Sequence, residues 1–111
     1  MDVEYTEAFL RQLRWLGRRY RHIRDDVQPV IEQLQAGETL GDQIPDAGFT
    51  LFKARVRNRD IQKGKSAGYR LIYYLKTQDK IILVTIYSKS DQGDMDAASI
   101  RRILASTSIT K

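Results

Sequence analysis

The sequence predicts an α+β fold, in which an N-terminal helix hairpin packs on one face of a small antiparallel sheet of three to four strands, with a short C-terminal helix. Residues 52–58, 69–76 and 81–89 alternate between apolar and polar side chains, which is typical of strands with one buried face. Turn-rich segments at 59–68 and 77–80 join these strands into hairpins. Upstream, apolar residues recur every three or four positions, which indicates amphipathic helices.

The chain begins with a short candidate edge strand, Asp2 to Tyr5. Thr6 is an acceptable N-cap for a first helix that runs to about Tyr20. The buried stripe of this helix consists of apolar residues at helical spacing: Phe9, Leu13, Leu16 and Tyr20.

A second helix is predicted after a break at residues 22–25, and it ends around Ala36. Asp26 is its predicted cap, which places Pro29 in the first turn, where a missing N–H costs little. Gly37 is a natural stop. Because the joint between the helices is short, we expect them to pair as a hairpin on the apolar face of the sheet.

Residues 37–48 form a connector, and the last helix follows the acidic segment 90–96 and runs to about Ser106. Asp94 or Asp96 is its predicted cap. Its inward side chains are Ile100, Ile103 and Leu104. The aspartates of the acidic segment lack the glycine and the terminal glutamate of a calcium loop, so capping and solvation explain them.

Strand alternation gives the predicted sheet two different faces. The apolar face carries Phe52, Ala54, Val56, Tyr69, Leu71, Tyr73, Leu75, Ile82, Val84 and Ile86. The opposite face, called the front face below, carries Lys53, Arg55, Arg57, Arg70, Ile72, Tyr74, Lys76, Thr85, Tyr87 and Lys89. The front face is therefore cationic and bears tyrosines, and we place the function there.

Composition narrows the classes of function. A length of 111 residues predicts one domain, 1–111. The net charge of +5 favours a polyanionic or acidic partner, without choosing among nucleic acid, an anionic membrane and an acidic protein. Cysteine is absent, so the sequence excludes thiolate metal sites and Cys nucleophiles. His22, the one histidine, is placed at a helix junction, where we expect neither a His pair nor a Ser-His-Asp triad.

The sequence predicts neither a signal peptide nor a membrane span. The first residues include acids and no apolar core of a signal peptide, and no run of about 18 apolar residues occurs. We therefore expect a cytoplasmic protein.

Two basic surfaces are candidates for binding. On adjacent strands, about 4.8 Å apart, the front-face groups can converge within reach of one phosphodiester. The candidates for contact with an RNA backbone are Arg57, Arg59, Lys63, Lys65 and Tyr74. The alternative is a solvated basic face that binds an acidic partner without catalysis. Residues 64–66 resemble the end of a phosphate-binding loop, but they lack its first glycine and its following helix, so nucleotide binding there is rejected.

The second surface lies on the first helix, where basic residues and a tryptophan recur at helical spacing: Arg11, Arg14, Trp15 and Arg18. It is either a solvated face on which arginine stems cover the indole or a surface that contacts phosphates or a partner.

The segments GKSAGYRLIYYL (64–75) and LVTIYSKSDQGDMD (83–96), in this order of elements, resemble the RelE/ParE toxin superfamily, particularly its RelE-like and HigB-like members. The likeness covers nearly the whole chain. It implies the toxin of a type II toxin–antitoxin system, an endoribonuclease that enters the ribosomal A site, cuts mRNA through attack by the 2′-hydroxyl and inhibits translation. It implies no metal and no cofactor. The implied partners are a cognate antitoxin, in a toxin–antitoxin hetero-oligomer, and the ribosome with its mRNA, with no membrane.

The resemblance also implies roles for individual residues. The implied catalytic residues are Arg70, Tyr87, Lys89, Lys53 and Arg55. From the cationic front face we expect Arg70 and Lys53 to stabilise developing charge, Arg55 to position the RNA backbone, and Tyr87 or Lys89 to accept or donate the proton. RelE itself has a tyrosine in its last helix, where this chain has none, and HigB-like members share the Y-x-K arrangement more closely. The Arg11, Arg14, Trp15 and Arg18 surface is a candidate site for the antitoxin.

ParE-like members of the same superfamily share the scaffold but inhibit DNA gyrase by binding to it. This alternative is a protein-interaction function rather than a nuclease. The front face favours the nuclease because it combines cations with groups that can transfer protons.

Overall fold

The computed structural model describes residues 1–45, 47–61 and 67–110, and within these ranges the chain forms three helices and a six-stranded mixed sheet. The helices are α1 (Glu7–Gly17), α2 (Ile23–Gln35) and α3 (Ala97–Ser106). The strands are β1 (Asp2–Thr6), β2 (Asp42–Gln43), β3 (Leu51–Val56), β4 (Tyr69–Leu75), β5 (Lys80–Ser88) and β6 (Ile109–Thr110). Over the described residues, none of the helices has the length and apolarity that crossing a bilayer requires.

The strand order is β2-β3-β4-β5-β1-β6. The antiparallel pairing of β3, β4 and β5 confirms the predicted hairpins. The prediction of a purely antiparallel sheet of three to four strands is wrong, because β1 runs parallel to β5 and two-residue strands extend both edges. Alternation along a strand does not encode the direction of its neighbour. The helix hairpin and the strands after it supply the long crossover that a parallel pair needs.

Thr6 joins β1 to α1 as predicted. Its hydroxyl accepts a hydrogen bond from the Phe9 backbone N–H at 2.9 Å and donates one to the Val84 carbonyl at 2.6 Å. This cap therefore satisfies one free N–H of the helix and also ties the helix start to β5. α1 ends at Gly17 rather than at Tyr20, yet Tyr20 is buried, as expected.

The predicted start of α2 is wrong. The helix begins at Ile23 with His22 in the capping position, and Asp26 is inside the helix rather than at its cap. The reason is that Ile23 and Val27, four residues apart, are both buried against the sheet and extend the helix backwards. Pro29 consequently lies in the helix interior. Gly37 ends α2 as predicted, with a φ of 93° that glycine adopts readily.

Apolar cores cover both faces of the sheet. The first confirms the helix hairpin on the predicted apolar face and includes Phe9, Leu13, Leu16, Val27, Leu34, Ala54, Val56, Tyr69, Leu71 and Tyr73. The second lies under α3 on the front face and comprises Ala47, Leu51, Ile72, Val84, Tyr87 and Ile100. Part of the front face is therefore apolar and covered, whereas the alternation predicted a cationic surface.

A β-bulge in β5 corrects the predicted parity of that strand. Ile72 pairs with Thr85 but its neighbour Tyr73 pairs with Leu83, so Val84 is an extra residue. One extra residue inverts the alternation. Ile82 and Val84 were therefore assigned to the wrong face, since Val84 packs in the core under α3 and Ile82 pairs with Tyr74 of that core.

Gly68 sets how closely β4 approaches the end of β3. A Cβ at this position would lie 2.2 Å from the Val56 carbonyl oxygen, which is backbone and cannot move aside alone. We expect Gly68→Ala to lower the free energy of unfolding by about 2 kcal/mol or more, through overpacking. Urea denaturation measures this. The control is Gly93→Ala, whose Cβ would meet nothing within 4 Å. Equal losses in the two variants would contradict the steric account.

Candidate functional site

Three of the predicted catalytic residues lie side by side across the centre of the sheet. Arg55 of β3 pairs with Arg70 of β4, and Arg70 pairs with Tyr87 of β5. Directly opposed residues of neighbouring strands point to the same face. This trio, called the central row below, therefore shares the front face, as the alternation predicted.

Lys53 and Lys89 flank the central row at its two ends. Lys53 lies two residues before Arg55, in register with Ile72. Lys89 follows β5, and its backbone N–H donates to the Gly68 carbonyl at 2.9 Å. Residues two apart share a face of a strand, so both lysines belong to the front face.

Both lysines bind the same carboxylate oxygen. The Nζ of Lys89 lies 3.0 Å from Oδ1 of Asp94, and the Nζ of Lys53 lies 3.3 Å from the same atom. Because the lysines come from opposite ends of the central row, this bridge passes across the row. The hydrogen bond from Lys89 and then that from Lys53 lower the pKa of the Asp94 carboxyl below its usual value.

Arg70 is the buried cation of the site. Its side chain is only 4% exposed, and its Nη1 donates to the Tyr69 carbonyl at 3.2 Å. Burial of a guanidinium is costly unless its donors are satisfied. The charge of Arg70 is thus held in place by the surrounding structure, while Arg55 beside it is exposed.

Tyr87 is also buried, at 1% exposure. Its ring belongs to the core under α3, and its hydroxyl accepts a hydrogen bond from the Met95 backbone N–H at 3.3 Å. The phenol therefore lies beneath the segment that joins β5 to α3, whereas the Lys89 ammonium remains partly exposed.

Each aspartate of the acidic segment has its own role. Asp91 forms an ion pair with Arg19, Asp94 binds the two lysines, and Asp96 caps α3 by accepting from the Ser99 N–H at 2.8 Å. The capping prediction is confirmed for Asp96. Among the described residues, no three His, Asp or Glu side chains converge in a cluster that could hold a metal ion.

Two of the other predicted RNA contacts, Arg59 and Tyr74, do not join the central row. Arg59 binds α2, since its Nε donates to Asp26 Oδ1 at 2.8 Å, and this hydrogen bond raises the pKa of the guanidinium. Tyr74 is four residues from Arg70, about 13 Å along the strand, and it packs edge-on against Phe49 at 5.3 Å. Lys63 and Lys65 lie outside the described residues.

Arg57 is exposed beside an open groove of about 560 Å³ between α2 and β3. The groove is lined by apolar residues such as Val30 and Leu40 and by the basic Lys53 and Arg55. In the described part of the chain, β2 pairs with β3 only at Phe52 and Lys53, so the outer edge of β3 beyond these residues faces the groove.

The second predicted surface lies on the other side of the sheet. Its members are all exposed: Arg11, Arg14, Trp15 and Arg18. Trp15 has 54% of its surface exposed, the largest such fraction among the exposed large apolar side chains of the described residues. Because α1 packs on the face opposite the front face, the two basic surfaces are separate.

The role of Asp94 escaped the sequence reasoning, which gave this residue only as an alternative cap. The available signal was its position five residues after Lys89, in a segment with enough turn-forming residues to fold back on the strand end. The sequence reasoning also missed Asp26 as the partner of Arg59, because it assigned Asp26 to the cap of α2.

The comparison with known families gives one match over most of the chain. A family model described as the RelE toxin of the RelE / RelB toxin-antitoxin system matches residues 13–110. This range contains the central row, both flanking lysines and Asp94.

The bridge predicts how Asp94 titrates in lysine variants. Since Lys89 contributes the largest effect, Lys89→Met is expected to raise the pKa of the Asp94 carboxyl toward 3.8 by more than Lys53→Met does. Carboxyl carbon shifts in an NMR titration measure both values. Asp96 is the internal control, because its lowered pKa depends chiefly on Ser99. An unchanged Asp94 pKa in Lys89→Met would contradict the bridge.

The lowered pKa of the Asp94 carboxyl also makes the stability of the fold depend on pH. The carboxyl has a lower pKa in the folded chain than in the unfolded chain. Its ionised form therefore stabilises the fold above the unfolded value of 3.8, and this contribution is lost as the pH falls through the folded pKa.

Proposed function

The chain belongs to the RelE toxin family, and on that premise we propose that it is a metal-independent endoribonuclease that cuts messenger RNA on the ribosome and thereby inhibits translation. Membership also implies a cognate antitoxin as its partner. The observation that carries the proposal is the convergence of Lys53 and Lys89 on one anionic oxygen across the central row.

A phosphodiester presents the same kind of acceptor as the Asp94 carboxylate. The ammonium groups of Lys53 and Lys89 already bind one oxygen atom, with the exposed guanidinium of Arg55 on the same face. Charge-assisted hydrogen bonds to such an oxygen are about twice as strong as those between neutral groups. The front face is therefore suited to hold the scissile phosphate of a bound RNA.

The proposed reaction is an internal transfer of the phosphate. The 2′-oxygen of the nucleotide forms a bond to the adjacent phosphorus, and the bond from phosphorus to the 5′-oxygen breaks. The products are a 2′,3′-cyclic phosphate and a 5′-hydroxyl. Lys53 stabilises the negative charge that develops on the phosphate oxygens, and the buried guanidinium of Arg70 adds positive charge from beneath the same face. Arg55 positions the backbone for attack.

Lys89 is the residue that we assign to proton transfer. As an ammonium, it donates a proton to the departing 5′-oxygen, while the 2′-hydroxyl proton passes to water. The burial of the Tyr87 hydroxyl and its hydrogen bond from Met95 favour this assignment over the tyrosine. Tyr87 then acts as a positioning residue that holds the end of β5.

The proposal predicts that Lys89→Met lowers the rate of mRNA cleavage about 100-fold or more, as expected for loss of a general acid. Cleavage is measured by mapping 5′ ends in a reaction with purified ribosomes and a defined mRNA. Lys76→Met removes an exposed lysine just beyond the far end of β4 and is the matched control. Arg70→Lys keeps a positive charge at this buried position but loses the guanidinium. We expect it to remain folded while its cleavage rate falls, which separates loss of activity from loss of folding.

Full cleavage by Lys89→Met would refute its role. If the wild-type protein leaves mRNA intact in growing cells and causes DNA breaks with an SOS response, the nuclease proposal fails and inhibition of gyrase is favoured.

We propose that the antitoxin binds the exposed surface of α1. This surface combines a large exposed aromatic side chain with arginines, and residues of these types dominate binding energy at many interfaces. Its net positive charge suits an acidic partner segment.

For this surface, Trp15→Ala is expected to weaken binding of the antitoxin encoded beside the toxin roughly 30-fold or more, if the indole is a hot spot. Calorimetry with the purified antitoxin measures the change. The control is Phe49→Ala, which removes a 40% exposed aromatic on the α3 side. Equal affinities for the two variants would place the antitoxin elsewhere.

A further inference from the structure

We propose that the Asp94 carboxylate occupies the phosphate-binding position of the front face, so that residues 92–94 must withdraw it before a polynucleotide phosphate can bind. This inference rests on the proposed function, since it names the position of the phosphate and the group that competes for it. The ligand class is a phosphate group, either free or within RNA.

The geometry around Asp94 is that of a bound anion. One carboxylate oxygen receives hydrogen bonds from Lys89, which follows β5, at 3.0 Å and from Lys53 of β3 at 3.3 Å. The carboxylate belongs to neither strand and is 55% exposed, so it lies on top of the site rather than within its wall. A phosphate oxygen at this place would receive the same two donors.

The segment is anchored on both sides of Asp94, but residues 92–94 themselves are exposed. Asp91 is held by its backbone N–H, which donates to the Ser88 carbonyl at 3.1 Å, and by its ion pair with Arg19. Met95 is held by the Tyr87 hydroxyl and by the core under α3. Between these anchors Gly93 has open space around it. Asp94 can therefore swing away from the lysines while both anchors stay in place.

The ion pairs that hold Asp94 on Lys53 and Lys89 are weak enough to break and re-form. Ion pairs between exposed groups contribute little to stability, because water and salt screen them. The apparent affinity for an anion is reduced by the fraction of molecules in which the site is open. Asp94 consequently lowers the affinity for phosphate without abolishing it.

The test compares two variants that each remove one negative charge. Asp94→Asn keeps the shape of the side chain but loses its charge. Asp79→Asn is the matched control, since Asp79 is exposed in the turn before β5, ten residues and about 33 Å of strand from Lys89. Inorganic phosphate is the first probe, titrated while the amide signals of Lys89 and Gly68 are followed by NMR.

We expect Asp94→Asn to bind inorganic phosphate roughly three- to tenfold more tightly than wild type, the range given by one or two weak ion pairs. Asp79→Asn should stay within about twofold, because its charge is remote and screened. Adding Lys53→Met to Asp94→Asn should remove most of the gain. Equal affinities for Asp94→Asn and Asp79→Asn would overturn the inference.

A second probe separates this inference from the proposed function. A 2′-O-methyl RNA oligonucleotide binds without being cut, because its 2′-oxygen is blocked. Tighter binding of both phosphate and this RNA by Asp94→Asn supports the inference and the nuclease proposal together. Tighter binding of phosphate alone upholds the phosphate position and counts against RNA as the substrate.

Discussion

The register of β4 between β3 and β5 is the constraint on which both the fold and the site depend. It places Arg70 directly between Arg55 and Tyr87 and thereby on the front face. A slip by one residue would turn Arg70 into the core beneath the helix hairpin and turn Tyr69 out of it. Tyr69, Leu71 and Tyr73 of β4 resist such a slip, because each is buried on the helix side of the sheet. Packing of apolar side chains on the helix side of the sheet thus fixes the positions of the functional side chains on the front face.

The front face is divided into an apolar part and a charged part. α3 covers Ile72, Val84 and Tyr87, while the flanking lysines and Arg55 stay outside that cover. Tyr87 stands on the boundary, with its ring in the core and its hydroxyl bound to the segment that follows β5. The charged part therefore rests on a packed core, with the exposed residues 92–94 above it. A rigid base is what a site built on electrostatic stabilisation requires, since donors that are already in place need no reorganisation.

Local signals in the sequence were sufficient to predict several features of the fold and of the site. The Thr6 cap, the stop at Gly37 and the Asp96 cap depend on a few adjacent residues, and all were predictable. The shared face of Arg55, Arg70 and Tyr87 followed from alternation, since only Tyr87 lies beyond the bulge and the predicted parity happened to hold there. The bulge itself, the parallel direction of β1 and the bridge through Asp94 each depend on contacts between distant segments. Alternation, helical spacing and capping preferences carry no information about such contacts.

The arginines beside the outer edge of β3 have a second effect, which is to oppose self-association of the protein. Where β2 stops pairing, among the described residues, the strand presents backbone groups that another chain could join. Arg55 and Arg57 stand along this border, and like charges on two molecules repel each other there. Neutral substitutions at these positions would therefore remove a barrier to self-association as well as contacts with substrate. A loss of activity in such variants has to be separated from a loss of solubility before either arginine is given a role in the reaction.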